Sequence, residues 1–105
     1  MSYPENQPLA DWLAQESAEK VLEPDLAIID PHHHLWDIRS FDEEPYASFQ
    51  EKVYLCEEIS KDIQACGHNI TKTVFAQCGA FYRQDGPDLM KCVGETEFVQ
   101  GIVAM

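Results

Sequence analysis

Residues 28–37 read Ile28-Ile29-Asp30-Pro31-His32-His33-His34-Leu35-Trp36-Asp37 and contain three of the chain's four histidines. Residues 26–30 are short and apolar and stop at a proline, which removes a ladder donor, so they predict a β-strand that ends there. Two of the histidines that follow, His32 and His34, project to the same side of an extended backbone. Because neutral imidazole is the commonest protein metal ligand, the stretch predicts a metal site at the end of a strand.

Charge and length narrow the classes of function. The chain has 105 residues, 7 basic against 19 acidic, and a formal net charge of -12. So acidic a chain repels phosphate backbones, and nucleic acid is not expected as a partner. No apolar stretch approaches the roughly 20 residues that span a bilayer, and the first residues are polar, so we expect no membrane partner and a cytoplasmic location.

Residues 1–24 are predicted to form an N-terminal arm that precedes the main body at 25–105. Pro8 is suited to the first turn of a short helix, which would place three apolar side chains on one face. Those side chains are Leu9, Trp12 and Leu13. We expect the arm to pack against the body, without a function of its own.

Strand and helix patterns alternate along the body. Residues 51–66 repeat apolar side chains at helical spacing, and Gly67 supplies a stop. Residues 73–78 are rich in β-branched and aromatic side chains and predict a second strand. Residues 35–50 read as an irregular loop able to cover a site.

The last part of the chain predicts more of the same alternation. Helix starts are indicated near Pro87 and near Gly94, and the apolar run 102–105 would begin a third strand. Strand, helix, strand, helix is a βαβ-type order, which is typical of α/β proteins with a parallel sheet.

The four cysteines are not spaced as a metal or redox motif. They stand at Cys56, Cys66, Cys78 and Cys92 and form no C-x-x-C pair. We expect reduced thiols, with Cys56 and Cys66 on the buried stripe of the predicted helix.

Two nitrogens from one rigid strand can begin a site for zinc or a similar divalent ion, with His32 and His34 as its ligands. Asp30 is two residues before His32, so its side chain should project to the same side of the strand, and it is a candidate to ligate the ion or to orient a ligand. His33 lies between the two ligand candidates and is expected to point away. From spacing alone the histidines are also compatible with solvated or hydrogen-bonded side chains that bind no metal. His68, after the helix stop, is expected to interact with the helix dipole.

Arg83 is a further candidate site residue. It follows Phe81-Tyr82 in a predicted loop, where its guanidinium could hold a substrate carboxylate by a two-pronged hydrogen bond. The alternative is a surface ion pair with one of the many nearby acids.

The stretch Ile29 to Asp37 resembles the opening of amidohydrolase-related proteins, the TIM-barrel metal-dependent hydrolases that include sugar and dicarboxylate lactonases. Their pattern D-x-H-x-H corresponds to Asp30, His32 and His34. Further stretches resemble a subgroup of the same family, and they are Thr73 to Arg83, Gly86-Pro87 and Val93 to Val99.

This resemblance implies an α/β fold, the N-terminal part of a (β/α)8 TIM barrel with about two strand-helix units and the start of a third. A whole barrel takes about 250 residues, and in the family further ligands and the acidic group that handles protons lie on later strands. The chain is therefore expected to be an N-terminal fragment or truncated form of a hydrolase acting on a lactone or amide carbonyl through metal-activated water, and inactive alone. Some relatives work without a metal or decarboxylate their substrates.

An alternative from another class is a non-catalytic interaction protein. Exposed strand edges are templates for pairing, so the chain could dock to itself or to a longer paralogue.

Overall fold

The computed structural model describes residues 11–105. Its elements in chain order are β1 (Ala27–His33), β2 (Trp36–Asp37), β3 (Val53–Tyr54), α1 (Cys56–Ala65), β4 (Asn69–Phe75) and α2 (Val93–Val103). Single turns of 3-10 helix occur at Tyr46–Ser48 and Asp88–Met90.

The strands β1 and β4 pair in parallel, and α1 lies between them in the chain. Parallel neighbours need a long crossover, usually a helix, because the chain must return to the starting end of the sheet. The predicted mixed α/β class and the strand-helix alternation are therefore confirmed. Residues 11–105 form two strand-helix units and a small antiparallel pair, β2 with β3, and they contain no closed barrel.

The first strand runs further than predicted, through Pro31 to His33. The register explains how a proline is accommodated: Asp30 pairs with Thr73 and His33 with Phe75, so β1 uses three residue steps where β4 uses two. This is a bulge, and a residue inside a bulge has no ladder bond to lose. The histidines consequently lie on the bulge and at the strand's end.

The helix predicted for 51–66 begins later, because Val53–Tyr54 pair with β2 instead. A local cap sets the new start, since the Glu58 carboxylate accepts the N–H of Leu55 at 2.9 Å. The predicted stop is confirmed: Gly67 has φ +77°, a left-handed conformation that favours glycine.

The second strand and the predicted third strand also differ from expectation. β4 begins at Asn69 and ends at Phe75, so residues 76–78 belong to the loop that follows. Ile102 and Val103 lie in α2, and the predicted start of a third strand is wrong. The buried and half-buried positions of α2 are 93–95, 98, 99 and 102, which is helical spacing, so Ile102 continues this helix face while Val103 is 73% exposed.

Few side chains are buried in the described part of the chain, and they are Leu35, Ile38 and Glu95. On the parallel strands, Ile29 is 58% exposed and Val74 is 50% exposed. Parallel sheets in proteins normally have both faces covered, so this pair leaves apolar surface open.

The described part of the arm starts with helical residues 11–13, and the predicted Pro8 and Leu9 lie outside the described residues. Trp12 and Leu13 are mostly exposed rather than packed on the body. Val21 does reach the body, where its Cγ2 would lie 3.0 Å from a β-carbon added to Gly67. None of the helices in residues 11–105 is long and apolar enough to cross a membrane.

Tyr54 ties β3 to α1, and its titration provides a test of that contact. The ring stacks on Trp36 with centroids 5.0 Å apart, and the hydroxyl donates to the Asp62 carboxylate. Burial, and then the neighbouring carboxylate, raise the pKa of Tyr54 far above its usual range. This hydroxyl therefore contributes stability that is present below the ordinary tyrosine pKa of about 10 and is lost as the pH rises.

We expect Tyr54 to ionise at a higher pH than the other tyrosines in an alkaline titration. Its tyrosinate absorbance is obtained as the difference between the wild type and Tyr54→Phe. Asp62→Asn should bring it to lower pH, because the amide removes the negative charge. Ionisation of Tyr54 together with exposed tyrosines in the folded chain would contradict the contact.

Candidate functional site

The imidazoles of His32 and His34 meet at the carboxyl end of β1. Their Nε2 atoms are 3.0 Å apart, and the rings stand nearly perpendicular with centroids separated by 4.7 Å. The bulge and the i, i+2 spacing place both rings on one side of the chain, as their parity predicts.

The end of β4 orients His34. Its Nδ1 is 2.7 Å from the carbonyl oxygen of Ala76, and only a ring N–H can donate to a carbonyl. A neutral ring that donates from Nδ1 keeps a lone pair on Nε2, so this tautomer presents Nε2 as an acceptor, and the Nε2–H of His32 can donate to it. Ala76 is itself fixed, because its N–H donates to the His33 carbonyl at 2.8 Å.

Asp30 shapes the bulge rather than contacting the imidazoles. Its Oδ1 accepts the backbone N–H of His32 at 3.1 Å. The side chain lines the same cleft as the two rings. Within residues 11–105 no group of three or more His, Cys, Asp or Glu side chains is arranged to hold a metal ion, so the ring nitrogens are the donors that this part of the chain brings together.

His33, which was expected to point away, also lines the cleft, but it makes a ring contact that its two neighbours do not make. Its ring packs edge-on against Phe75 with centroids 5.7 Å apart. Burial lowers the pKa of His33, which favours the neutral ring. Its Nδ1 is buried and has no hydrogen-bond partner among the described residues.

Two cavities open beside the histidines. A cleft of about 420 Å³ holds the imidazole pair, and a pocket of about 320 Å³ lies next to it. His34 and Trp36 line both cavities. The cleft is also lined by Asp30, Tyr54, Asp62, Cys66 and His68, among others.

Arg83 is engaged in the surface ion pair that was the alternative to substrate binding. Its Nε donates to Glu97 Oε1, and both side chains are largely exposed. The carboxylate raises the pKa of Arg83 further above its usual value. Arg83 lies outside the walls of both cavities.

His68 follows the end of α1 as the sequence indicates, and its backbone N–H donates to Cys66 Sγ at 3.4 Å. Its ring lines the cleft, so the structure brings it to the same cavity as the predicted ligands. The four cysteines are free thiols. The expected burial of the helix cysteines is wrong for Cys66, which is exposed at the end of α1, while Cys56 is half-buried. Cys78 lines the pocket, and its thiol donates to the Leu35 carbonyl at 3.5 Å. Burial and the nearby Glu95 raise the pKa of the Cys78 thiol.

Glu95 is the residue that sequence reasoning missed. It is only 2% exposed, and its Oε2 accepts the backbone N–H groups of Cys78 and Ala80, both at 3.1 Å. The other oxygen, Oε1, is buried without a hydrogen-bond partner in the described part of the chain. An acidic residue in the first turn of a helix normally indicates a favourable dipole interaction, and nothing local signals that it reaches a loop 15 to 17 residues away.

Comparison of this chain with protein-family models, with curated proteins and with solved structures found no match. Evidence for function therefore comes from the arrangement of His32 and His34 and from the resemblance of residues 29–37 to amidohydrolase-related proteins.

Proposed function

We propose that this chain is the N-terminal part of a metal-dependent hydrolase of the amidohydrolase-related class, in which His32 and His34 help to hold a divalent ion, zinc being the first choice. The substrate would be a small molecule with a lactone or amide carbonyl. The single observation that carries the proposal is the imidazole pair. The Nε2 atoms of His32 and His34 are 3.0 Å apart, and Nδ1 of His34 is hydrogen-bonded to the Ala76 carbonyl.

The donor set fits such an ion. Zinc binds imidazole nitrogen at about 2.0–2.1 Å, so two nitrogens roughly 3 Å apart can share one ion. Metal-bound histidines nearly always donate their other ring N–H to a carbonyl or carboxylate, and the contact from His34 to Ala76 has this form. A bound divalent ion supplies Lewis acidity, which lowers the pKa of water and polarises a carbonyl.

The chain's own residues do the positioning. Asp30 holds the backbone of the bulge, so the ring of His32 is presented beside that of His34. Ala76 fixes the tautomer of His34 and keeps its Nε2 turned to the cleft as an acceptor. The remaining ligands and the proton-transferring acid would come from outside the described elements, because two imidazoles do not complete a catalytic site.

The sheet supports the proposal that more of a barrel is needed. A two-stranded sheet is marginal by itself, and Ile29 and Val74 expose about half of their side-chain surface on β1 and β4. Further strand-helix units would cover these side chains and extend the parallel ladder. The isolated chain is accordingly expected to bind zinc weakly and to turn over nothing.

The test is a calorimetric titration of the chain with Zn²⁺. A second titration with Co²⁺ uses its visible absorption spectrum to detect ligation by nitrogen. We expect His32→Ala and His34→Ala each to weaken binding by about tenfold or more, because each removes a ligand. His68→Ala is the matched control, since it removes another imidazole from the wall of the same cleft, and it should change affinity little.

Equal affinity in wild type and both histidine variants would remove the basis of the proposal. Turnover of a panel of lactones by this chain, lost in both variants, would overturn the expectation that it is inactive alone.

The second candidate, a non-catalytic interaction protein, is favoured by the same exposed surface on β1 and β4. Unpaired strand edges and the exposed Ile29 and Val74 suit pairing with a second copy or a longer paralogue. Size-exclusion chromatography with light scattering discriminates: a defined oligomer supports it, and a monomer with a sharp thermal transition counts against it.

A further inference from the structure

The pocket beside His34 is walled by aromatic rings from separate parts of the chain. Its lining comprises the end of β1 and β2, the loop between β2 and β3, and the loop after β4. The aromatic residues of the lining are Trp36, Phe41, Tyr46, Phe49 and Phe81. A volume of about 320 Å³ is at the lower end of ligand pockets, which are commonly about 300–1,000 Å³.

The wall formed by β2 and its loop is held in place by polar contacts behind the rings. The Trp36 indole N–H donates to the Glu51 carbonyl at 2.9 Å, and the Trp36 ring stacks on the ring of Tyr54. The Lys52 ammonium donates to the carbonyl oxygens of Tyr46 and Ala47, at 2.5 and 2.9 Å. The rings therefore form a prearranged surface rather than a loose loop.

The opposite wall is held as firmly. Phe81 has φ +60°, an unfavourable conformation for a residue with a β-carbon, and its ring stacks on Phe98 with centroids 3.7 Å apart. Glu95 clamps the preceding residues Cys78 and Ala80 through their N–H groups. A strained backbone held by several independent contacts is typical of ligand sites.

The lining favours an uncharged, apolar ligand. Phe41 is 51% exposed and Phe49 is 48% exposed, so apolar ring surface faces water at the pocket's rim. Among the described residues that line it there is no Lys or Arg to meet a substrate carboxylate. Its one carboxylate, Asp37, is bound by Arg39 at 2.6 Å, and the chain carries a net charge of -12, which repels further anions.

His34 connects this pocket to the cleft with the imidazole pair, because it lines both. We infer that the pocket binds the ring-bearing apolar group of an uncharged aryl or cyclic-alkyl lactone or amide, and that the carbonyl of the same molecule lies towards His34. The placement of the carbonyl rests on the proposed function, whereas recognition of the apolar ring does not. Sugar and dicarboxylate lactones, which the sequence resemblance suggests, would be poor ligands.

The probe is 3,4-dihydrocoumarin, an uncharged aromatic lactone, added to the metal-free chain while the two tryptophan indole N–H signals are followed by NMR. We expect the Trp36 signal to shift and saturate. The Trp12 signal is the internal control, because Trp12 is 65% exposed and does not line the pocket, and Trp12→Phe assigns the two signals. Glucono-δ-lactone, which is uncharged but polar, and the dianion isophthalate should leave Trp36 unchanged.

Variants localise the site. Phe41→Ala and Phe49→Ala remove exposed rim rings and should weaken binding by about threefold to tenfold, as expected for loss of an aromatic contact. Leu89→Ala, at a side chain 92% exposed and outside the pocket, should have no effect. Circular dichroism verifies that each variant is folded.

The outcomes separate this inference from the proposed function. If the wild type does not bind zinc, the metal proposal fails. Binding of the probe by that wild type and by His32→Ala would still support the pocket. A wild type that binds zinc through the histidines but shows no Trp36 shift up to the solubility limit of the probe would overturn the pocket. Equal shifts with glucono-δ-lactone or isophthalate would overturn its preference for uncharged apolar rings.

Discussion

Gly94→Ala is expected to destabilise the folded chain by about 3 kcal/mol or more, the upper range for overpacking. A β-carbon on Gly94 would lie 2.5 Å from the backbone nitrogen of Arg83 and 2.5 Å from the carbonyl oxygen of Phe81. Both neighbours are backbone atoms, which cannot move aside as a flexible side chain can. The added methyl group would have to push α2 away from the loop at 81–83.

The loop has little freedom to yield. The Arg83 N–H donates to the Lys91 carbonyl at 2.9 Å, and Phe81 is stacked on Phe98 of α2. Separating the two segments would break this stack and also strain the turn at Phe81. The destabilisation should therefore lower the free energy of unfolding of the whole chain, because the loop cannot adjust locally.

Gly101→Ala is the matched control, because Gly101 is in the same helix with nothing within 4 Å of an added β-carbon. There alanine should stabilise the chain by about 0.5–1 kcal/mol, the usual helix preference over glycine. Urea unfolding followed by circular dichroism measures both changes. If Gly94→Ala stabilised the chain as Gly101→Ala does, the close approach of α2 to the 81–83 loop would be wrong.

Glu95→Ala is the second substitution with a large expected effect, a loss of about 2–4 kcal/mol. It would leave the part-buried N–H groups of Cys78 and Ala80 without an acceptor, and a fully buried unsatisfied donor costs about 1–3 kcal/mol, so these two contribute towards the lower end of that range. The side-chain volume lost at a buried position adds to this cost. Glu95→Gln should lose less, because the amide oxygen can still accept from the loop.

The matched control lies two residues further along the same helix. Glu97 pairs with Arg83 at the surface, where ion pairs contribute about 0–1 kcal/mol, so Glu97→Ala should change the unfolding free energy little. Unfolding in urea at neutral pH compares the variants. If Glu97→Ala were as costly as Glu95→Ala, the assignment of Glu95 as the clamp of the loop would fail.

The effect of Glu95 should extend to the pocket. The clamped loop supplies one wall of the pocket, and Ala76, at the start of the same loop, accepts a hydrogen bond from the ring of His34. We therefore regard Glu95 as a positioning residue for both cavities.

Local periodicity was enough to predict the α/β class, the helix that becomes α1 with its stop at Gly67, and the positions of two strands. It also placed His32 and His34 on one side of the chain, since the side-chain alternation of an extended backbone depends only on neighbouring residues. The structure brings these rings together as that parity requires.

Features that depend on contacts between residues distant in sequence could not be predicted from local periodicity. The bulge that carries β1 past Pro31 exists because β4 pairs alongside it, and the start of α1 is delayed because Val53–Tyr54 pair with β2. Ile102 and Val103 have the composition of a strand but lie in α2, where Ile102 is half-buried and Val103 is exposed.

The site divides in the same manner. Local sequence is enough to place the rings of His32 and His34 together, because side chains at positions i and i+2 of an extended backbone point to the same side. Only the tertiary structure decided the partner of His34, the aromatic pocket beside it and the burial of Glu95, because each joins segments that are distant in the chain. Those contacts arise from packing between elements, which no local pattern of residues encodes.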